Sequence, residues 1–147
     1  MPVNNVHSEN RKAFLASKGC GSLLLEAYSL LVVIELALKD YIYEHKSPKT
    51  WADKHNIGEL ICKLNGILPK NVVSLSTHWE QLAGKLGQIQ CTDMYGQPKG
   101  IKSYPELRYL RFDCDFGTQH KECKHLKNII GIANDIIKEL KLNKVNI

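Results

Sequence analysis

The sequence has no long hydrophobic run, and this shortage limits where the protein can work. Its longest uninterrupted aliphatic stretch is LLVVI at residues 30–34, whereas a membrane-spanning helix needs about 20 apolar residues. The opening residues, MPVNNVHSENRKAF, also lack the apolar segment and small-residue cleavage site of a secretory leader. We therefore expect a protein that has no membrane partner and that is located in the cytoplasm.

The cysteines do not form the pattern of a disulfide framework. Five cysteines are an odd number, and without a secretory leader such a count is typical of reduced thiols. One cluster, Cys114, His120, Cys123 and His125, has the residue types that zinc prefers. Positions 123 and 125 fall on different sides of a helix, although a set of Cys114, His120 and Cys123 remains geometrically possible. We expect buried thiols and exposed histidines here, and no metal or cofactor.

Other signatures of catalysis are also missing. The sequence contains no Gly-x-Ser-x-Gly elbow, no phosphate-binding P-loop and no Gly-x-Gly-x-x-Gly fingerprint. Asp113 and Asp115 form a close acidic pair, but without a third carboxylate nearby they are weak candidates for a magnesium site. Nucleophilic hydrolysis and nucleoside-triphosphate chemistry of the common kinds are therefore not predicted.

The composition is that of a soluble globular domain with a mild basic excess. Its 147 residues fit one domain, and 44% hydrophobic with 24% charged residues argues against disorder. The net charge of +5 comes from 17 lysines and only three arginines. Such a balance is compatible with a partner that carries phosphate groups.

Apolar residues recur every three or four positions in most of the chain, which is the spacing of amphipathic helices. The predicted helices cover residues 8–18, 22–45, 51–64, 74–90 and 118–142. The second is apolar on several sides and is therefore predicted to be central. Residues 91–117 show no periodicity and no convincing strand, and residues 1–7 and 143–147 are expected to be flexible. We predict a single all-α domain, a four- to five-helix antiparallel bundle over residues 1–147.

Local features also predict the buried face of the first helix and the two ends of the third. Ala13 and Phe14 are expected to face inward from the first helix. Thr50 is a plausible N-cap for the helix that buries Trp51. The pair Asn65-Gly66 is a typical stop signal for that helix.

Three segments carry a family resemblance. They are AYSLLVVIELALKDYI at 27–42, HNIGEL at 55–60 and YPELRY at 104–109. In this order they resemble the HEPN superfamily of small helical bundles, over about residues 21–142. The resemblance implies a helical-bundle fold and a homodimer with a site in the cleft between two bundles. It also implies ribonuclease activity where an arginine is followed, after four to six residues, by a histidine, while other members bind nucleotides or proteins without cutting RNA.

None of the three arginines has the spacing of the ribonuclease members. Arg11, Arg108 and Arg111 are each followed by other residues at all permitted positions. We therefore expect a non-catalytic RNA- or nucleotide-binding module, which the resemblance assigns to a prokaryotic defence or toxin–antitoxin system. One alternative is a metal-independent endoribonuclease with a displaced pair, Arg111 and His120, brought together by an intervening loop. A second alternative is a helical protein–protein interaction or dimerisation domain.

The candidate RNA contacts combine basic and aromatic residues. The late loop and the start of the last helix supply Lys102, Tyr104, Arg108, Tyr109, Arg111 and Lys124. Lysine and arginine bind phosphate groups, while tyrosine rings stack on bases. The alternative is a solvated, lysine-rich helix face with the tyrosines half-packed in the loop.

Overall fold

The computed structural model of the protein describes residues 8–16, 22–45, 56–70, 72–92, 98–100, 104–109 and 121–147. Within these ranges the chain forms an all-α helical bundle, as predicted. Its helices are α1 (Ser8–Leu15), α2 (Leu23–His45), α3 (Ile57–Ile67), α4 (Val73–Gln88) and α5 (Lys121–Leu142). Between α4 and α5 lie strands β1 (Gln90–Thr92) and β2 (Pro98–Gly100) and a 3-10 helix (Tyr104–Tyr109).

Helix α2 is the centre of the bundle, which confirms the prediction from its apolar sides. It packs against α1, α3, α5 and the 3-10 helix. Leu31 and Ile34 are fully buried, at 0% exposure. The helix begins after Ser22, whose hydroxyl oxygen accepts a hydrogen bond from the Leu25 amide at 3.2 Å and so satisfies one free N–H group of the first turn.

Helix α1 presents a face to the core that only partly matches the predicted one. Phe14 is half-buried and packs against the core as predicted, whereas Ala13 is exposed and Arg11 is buried at 2% exposure. The reason is electrostatic, because Arg11 forms an ion pair with Asp40 of α2. This pair orients α1 so that Ala13 faces solvent.

Helix α3 does not end at Asn65-Gly66, so the predicted stop is wrong. The helix continues to Ile67, and the Leu68 amide still donates to the Leu64 carbonyl at 2.9 Å. Leu68 is extended because it precedes Pro69. Asn65 instead accepts a hydrogen bond from the Val72 amide at 2.9 Å, and it thereby fixes the entry into α4.

The start of α3 is set by Asn56. Its side-chain oxygen accepts a hydrogen bond from the Glu59 amide at 3.1 Å, which is the usual N-cap arrangement. The predicted cap Thr50 and the predicted core residue Trp51 lie outside the described residues.

The stripes predicted for α4 and α5 form the second half of the core. Leu75, Leu82 and Leu86 are buried on α4. Helices α4 and α5 pack closely against each other. On α5 the buried residues recur at helical spacing and are Leu126, Ile129, Ala133, Ile136, Ile137 and Leu140.

The segment between α4 and α5 contains short strands, contrary to the prediction. Strand β1 pairs with β2 in antiparallel register, with Cys91 opposite Lys99. The 3-10 helix that follows contributes Tyr104 and Leu107 to the core, at 4% and 0% exposure. With about three residues per turn, a 3-10 helix places these two positions on one face.

The last residues, which were expected to be flexible, fold back onto α5. The Val145 amide donates to the Leu140 carbonyl at 2.9 Å, and the Lys144 amide donates to the Lys141 carbonyl at 3.0 Å. Lys144 has a φ of 63°, and Val145 is buried at 2% exposure. These are the features of a Schellman motif. No helix in the described ranges combines the length and apolarity of a membrane span.

Candidate nucleic-acid interface

Lysines line the solvent-exposed side of α5. Among the α5 side chains that the structure describes, the exposed lysines are Lys124, Lys127, Lys138 and Lys141. They fall on one side because their spacings of three and eleven residues are close to whole numbers of helical turns. We call these four residues the lysine face. None of them forms an ion pair within the part of the chain that the structure describes, so their charge is available to a partner.

A groove runs beside the lysine face, where α4 meets α5. Its volume is about 500 Å³ and it is shallow and open to solvent. We call it the α4–α5 groove; it is lined by Lys85, Lys127, Asn128, Gly131, Ile132 and Asp135. Lys85 comes from α4 and was not predicted as a site residue. The helical pattern of α4 alone does not show that Lys85 lies beside α5.

The structure describes the side chains of two of the predicted RNA-contact residues, and one is exposed while the other is buried. Lys124 is exposed on α5, where a phosphate group can reach it. Tyr104 is buried, and its hydroxyl donates a hydrogen bond to Glu35 at 2.5 Å. Its ring packs near that of Tyr28, with 6.2 Å between centroids. This ring therefore serves the core and is not placed to stack on a base.

The remaining predicted residues are described only in part or not at all. Arg108 and Tyr109 lie in the 3-10 helix, directly after the buried Leu107. Lys102 and the candidate catalytic residues Arg111 and His120 lie outside the described residues.

A group of buried charged residues on α2 was missed by the sequence analysis. Glu35, Lys39 and Asp40 are exposed by only 4–5%. The Lys39 ammonium lies 3.2 Å from a Glu35 carboxylate oxygen, Tyr104 bonds the other oxygen, and Arg11 pairs with Asp40. The sequence does contain a signal for them, namely three charged residues within the mostly apolar helix α2. Burying an unpaired charge costs much free energy, so each of these residues must have a partner of opposite charge or a hydrogen-bond donor.

These buried charges have little room for a ligand. The adjacent cavity, lined in part by Asp40, Glu44 and Lys144, has a volume of about 20 Å³, which is the size of a single water site. Because the charged groups are paired with partners on different elements, they act as connections between α1, α2 and the 3-10 helix.

A second groove lies between α3 and α4 and is mostly apolar. It has a volume of about 570 Å³, and its lining includes Gly58, Cys62 and Trp79. The Trp79 ring packs so closely on Gly58 that a Cβ atom there would lie 2.8 Å from the indole nitrogen. The exposed thiol of Cys62 lies at this surface, and no histidine is among the described residues that line the groove.

No group of three potential metal ligands is present among the described residues. His125, one member of the cluster seen in the sequence, was expected to be exposed but is half-buried, with both ring nitrogens buried and without a hydrogen-bond partner in the described structure. Cys114 and His120 lie outside the described residues, and nothing is described of the Cys123 side chain.

Comparisons with protein-family models, with curated proteins and with solved structures find no match to this chain. The likeness to the HEPN superfamily therefore rests on the sequence segments alone.

Proposed function

We propose that the protein is a non-catalytic, RNA-binding helical module that uses the lysine face of α5. The observation that carries this proposal is the row of four exposed lysines that have no carboxylate partner in the described residues. Neutralised rows of charge are common on protein surfaces, but here none of the four ammonium groups forms an ion pair with a carboxylate of the described residues. A phosphate backbone supplies the missing negative charge at regular intervals.

The sequence adds two supports to this proposal. The net charge of +5 favours approach of a polyanion. The resemblance to the HEPN superfamily favours RNA or a nucleotide as the ligand, a homodimer as the assembly, and a defence or toxin–antitoxin system as the setting. The failed arginine–histidine spacing favours binding without cleavage.

Salt-dependent RNA binding tests the proposal. Fluorescence anisotropy with a labelled single-stranded RNA, titrated at several salt concentrations, is expected to show affinity that falls steeply with salt. Lys124→Gln and Lys138→Gln are each expected to flatten the slope of log affinity against log salt by about 0.7. Lys70→Gln, which removes an exposed lysine between α3 and α4, is the matched control and should leave the slope unchanged.

Three results would replace this proposal with another. Absence of RNA binding at low salt would leave the protein-interaction alternative, for which the groove between α3 and α4 is the available surface. Binding that is equally weakened by Lys70→Gln would show that no particular face is used. Cleavage of the RNA would favour the displaced ribonuclease site. Native mass measurement of the same sample reports whether the protein is a dimer.

A further inference from the structure

The α4–α5 groove is lined by cationic, amide and carboxylate side chains. Lys85, Lys127 and Asn128 supply cationic and hydrogen-bonding groups, Gly131 leaves its floor open, and Asp135 supplies a carboxylate. Lys127 and Asp135 are eight residues apart on α5, which corresponds to about 12 Å along the axis at about 1.5 Å per residue. The groove is therefore longer than one phosphate group and has different chemistry along its wall.

From this arrangement we infer that the α4–α5 groove binds the sugar–phosphate backbone of single-stranded RNA and distinguishes ribose from deoxyribose. This inference rests on the proposed function and assigns it a specific site. Lys85 and Lys127 bind a phosphate between the two helices, and the Asn128 amide donates a hydrogen bond to it. The Asp135 carboxylate accepts a hydrogen bond from a ribose 2′-hydroxyl, the group that allows a protein to tell RNA from DNA.

The positions of the lysines favour a backbone over an isolated anion. Lys85 and Lys127 come from different helices and meet at the groove, so they can hold one phosphate from two directions. Lys124 and Lys138 lie on α5 to either side of the groove residues. A strand that follows the groove therefore meets further cationic groups before and after it, which a single small anion would not use.

The carboxylate of Asp135 indicates which kind of nucleic acid fits the groove. A carboxylate beside a phosphate path is unfavourable, because it repels the anion and weakens binding of any nucleic acid. It is favourable only where the ligand presents a hydrogen-bond donor at that point. The 2′-hydroxyl is the donor that every RNA nucleotide carries and that DNA lacks, so Asp135 is expected to penalise DNA and to tolerate RNA.

Gly131 gives a way to close the groove without disturbing the fold. It is exposed within α5, and a Cβ atom added there would meet nothing within 4 Å. Gly131→Gln therefore places a neutral, helix-compatible side chain in the groove. Gly66→Gln on α3 is the matched control, since Gly66 is also exposed in a helix and open to added atoms.

The decisive experiment measures the affinities of RNA and DNA oligonucleotides of one sequence for the native protein and these variants. We expect native protein to bind RNA about three- to tenfold more tightly than DNA, the value of one hydrogen bond. Asp135→Ala should bring the two affinities together, chiefly by strengthening DNA binding, whereas Glu80→Gln, which removes an exposed carboxylate elsewhere, should preserve the ratio. Gly131→Gln and Lys85→Gln should weaken RNA binding, and Gly66→Gln should not.

The outcomes separate this inference from the proposed function. RNA binding that depends on Lys124 and Lys138 but is unaffected by Gly131→Gln and Lys85→Gln would overturn the groove assignment and leave the lysine face in place. Equal affinity of native protein for RNA and DNA would overturn the role of Asp135 and with it this inference. Absence of RNA binding at low salt would overturn both. Circular dichroism of each variant confirms that its helices are retained.

Discussion

Arg11 and Asp40 form an ion pair between α1 and α2, with side chains exposed by only 2% and 6%. They are 29 residues apart in the sequence. A helix as short and polar as α1 gains little from its own hydrophobic burial, since Arg11 is its one fully buried residue. The ion pair therefore acts together with the packing of Phe14 and Leu15 against the core to hold α1 on the bundle.

Removing one partner of this ion pair is expected to destabilise the protein strongly. Arg11→Met leaves the Asp40 carboxylate buried without its counter-ion, and the free energy of unfolding should fall by about 3–5 kcal/mol in urea denaturation. The control is Lys12→Ala on the same helix. Lys12 pairs with Glu9 at 3.4 Å, but both side chains are largely exposed, so that loss should be below about 1 kcal/mol. Similar losses for both variants would contradict the buried pairing.

The buried hydroxyl of Tyr104 provides a second test. Tyr104→Phe removes the hydrogen bond to Glu35 and should lower stability by about 1–3 kcal/mol, because part of the buried carboxylate loses its donor. Tyr41→Phe is the control, since the Tyr41 ring is half-buried and stacks on His45. An equally stable Tyr104→Phe protein would indicate an exposed tyrosine, and it would restore Tyr104 as a candidate for base stacking.

Because α2 is central, we expect the free energy of unfolding to depend strongly on its buried side chains. Leu31→Ala and Ile34→Ala, at sites with 0% exposure, should each cost about 2–5 kcal/mol. Leu25 lies on the same helix at 47% exposure, so Leu25→Ala should cost far less. Thermal melting of the three variants measures the difference, and unchanged melting for Leu31→Ala and Ile34→Ala would refute the assigned core.

Two helical glycines are expected to respond in opposite directions to alanine. Gly131→Ala adds a methyl group in open space and should raise stability by about 0.5–1 kcal/mol through helix propensity. Gly58→Ala should lower it by about 1 kcal/mol or more, because its Cβ would lie 2.8 Å from Trp79 and would force the ring to move. Stabilisation by both changes would show that Trp79 is not held against α3.

The protein is expected to leave RNA intact. No arginine has a histidine at the spacing of the ribonuclease members, so a fluorogenic RNA should remain at background over hours. Robust cleavage that is lost in Arg111→Ala or His120→Ala, with folding retained, would establish the displaced site. A catalytically silent protein that still binds RNA is the result that the proposed function requires.

The helices of the fold were predictable because their burial follows a simple period. The stripe of α5 and the central character of α2 follow from apolar spacing alone. The end of α3 was not predictable in this way, because Asn65 resembles a stop but bonds the Val72 amide instead. Tertiary hydrogen bonds of this kind depend on where the next helix lies, which no local pattern records.

The candidate site was predictable in part. Lys124 is exposed on α5 as expected. Tyr104 was misread because an aromatic residue between basic residues looks like a stacking residue, whereas its buried partner Glu35 lies 69 positions away. Lys85 was not predicted because it lines the α4–α5 groove only once α4 packs beside α5.

The buried charges of α2 have a consequence for how the protein folds. Arg11 and Tyr104 reach Asp40 and Glu35 across 29 and 69 residues of sequence. A partly folded chain with a docked α2 but without α1 or the 3-10 helix would hold charges in apolar surroundings with too few partners. Such intermediates are therefore high in free energy. The buried ion pairs and hydrogen bonds of α2 therefore favour all-or-none unfolding, which is the usual behaviour of single domains of this size.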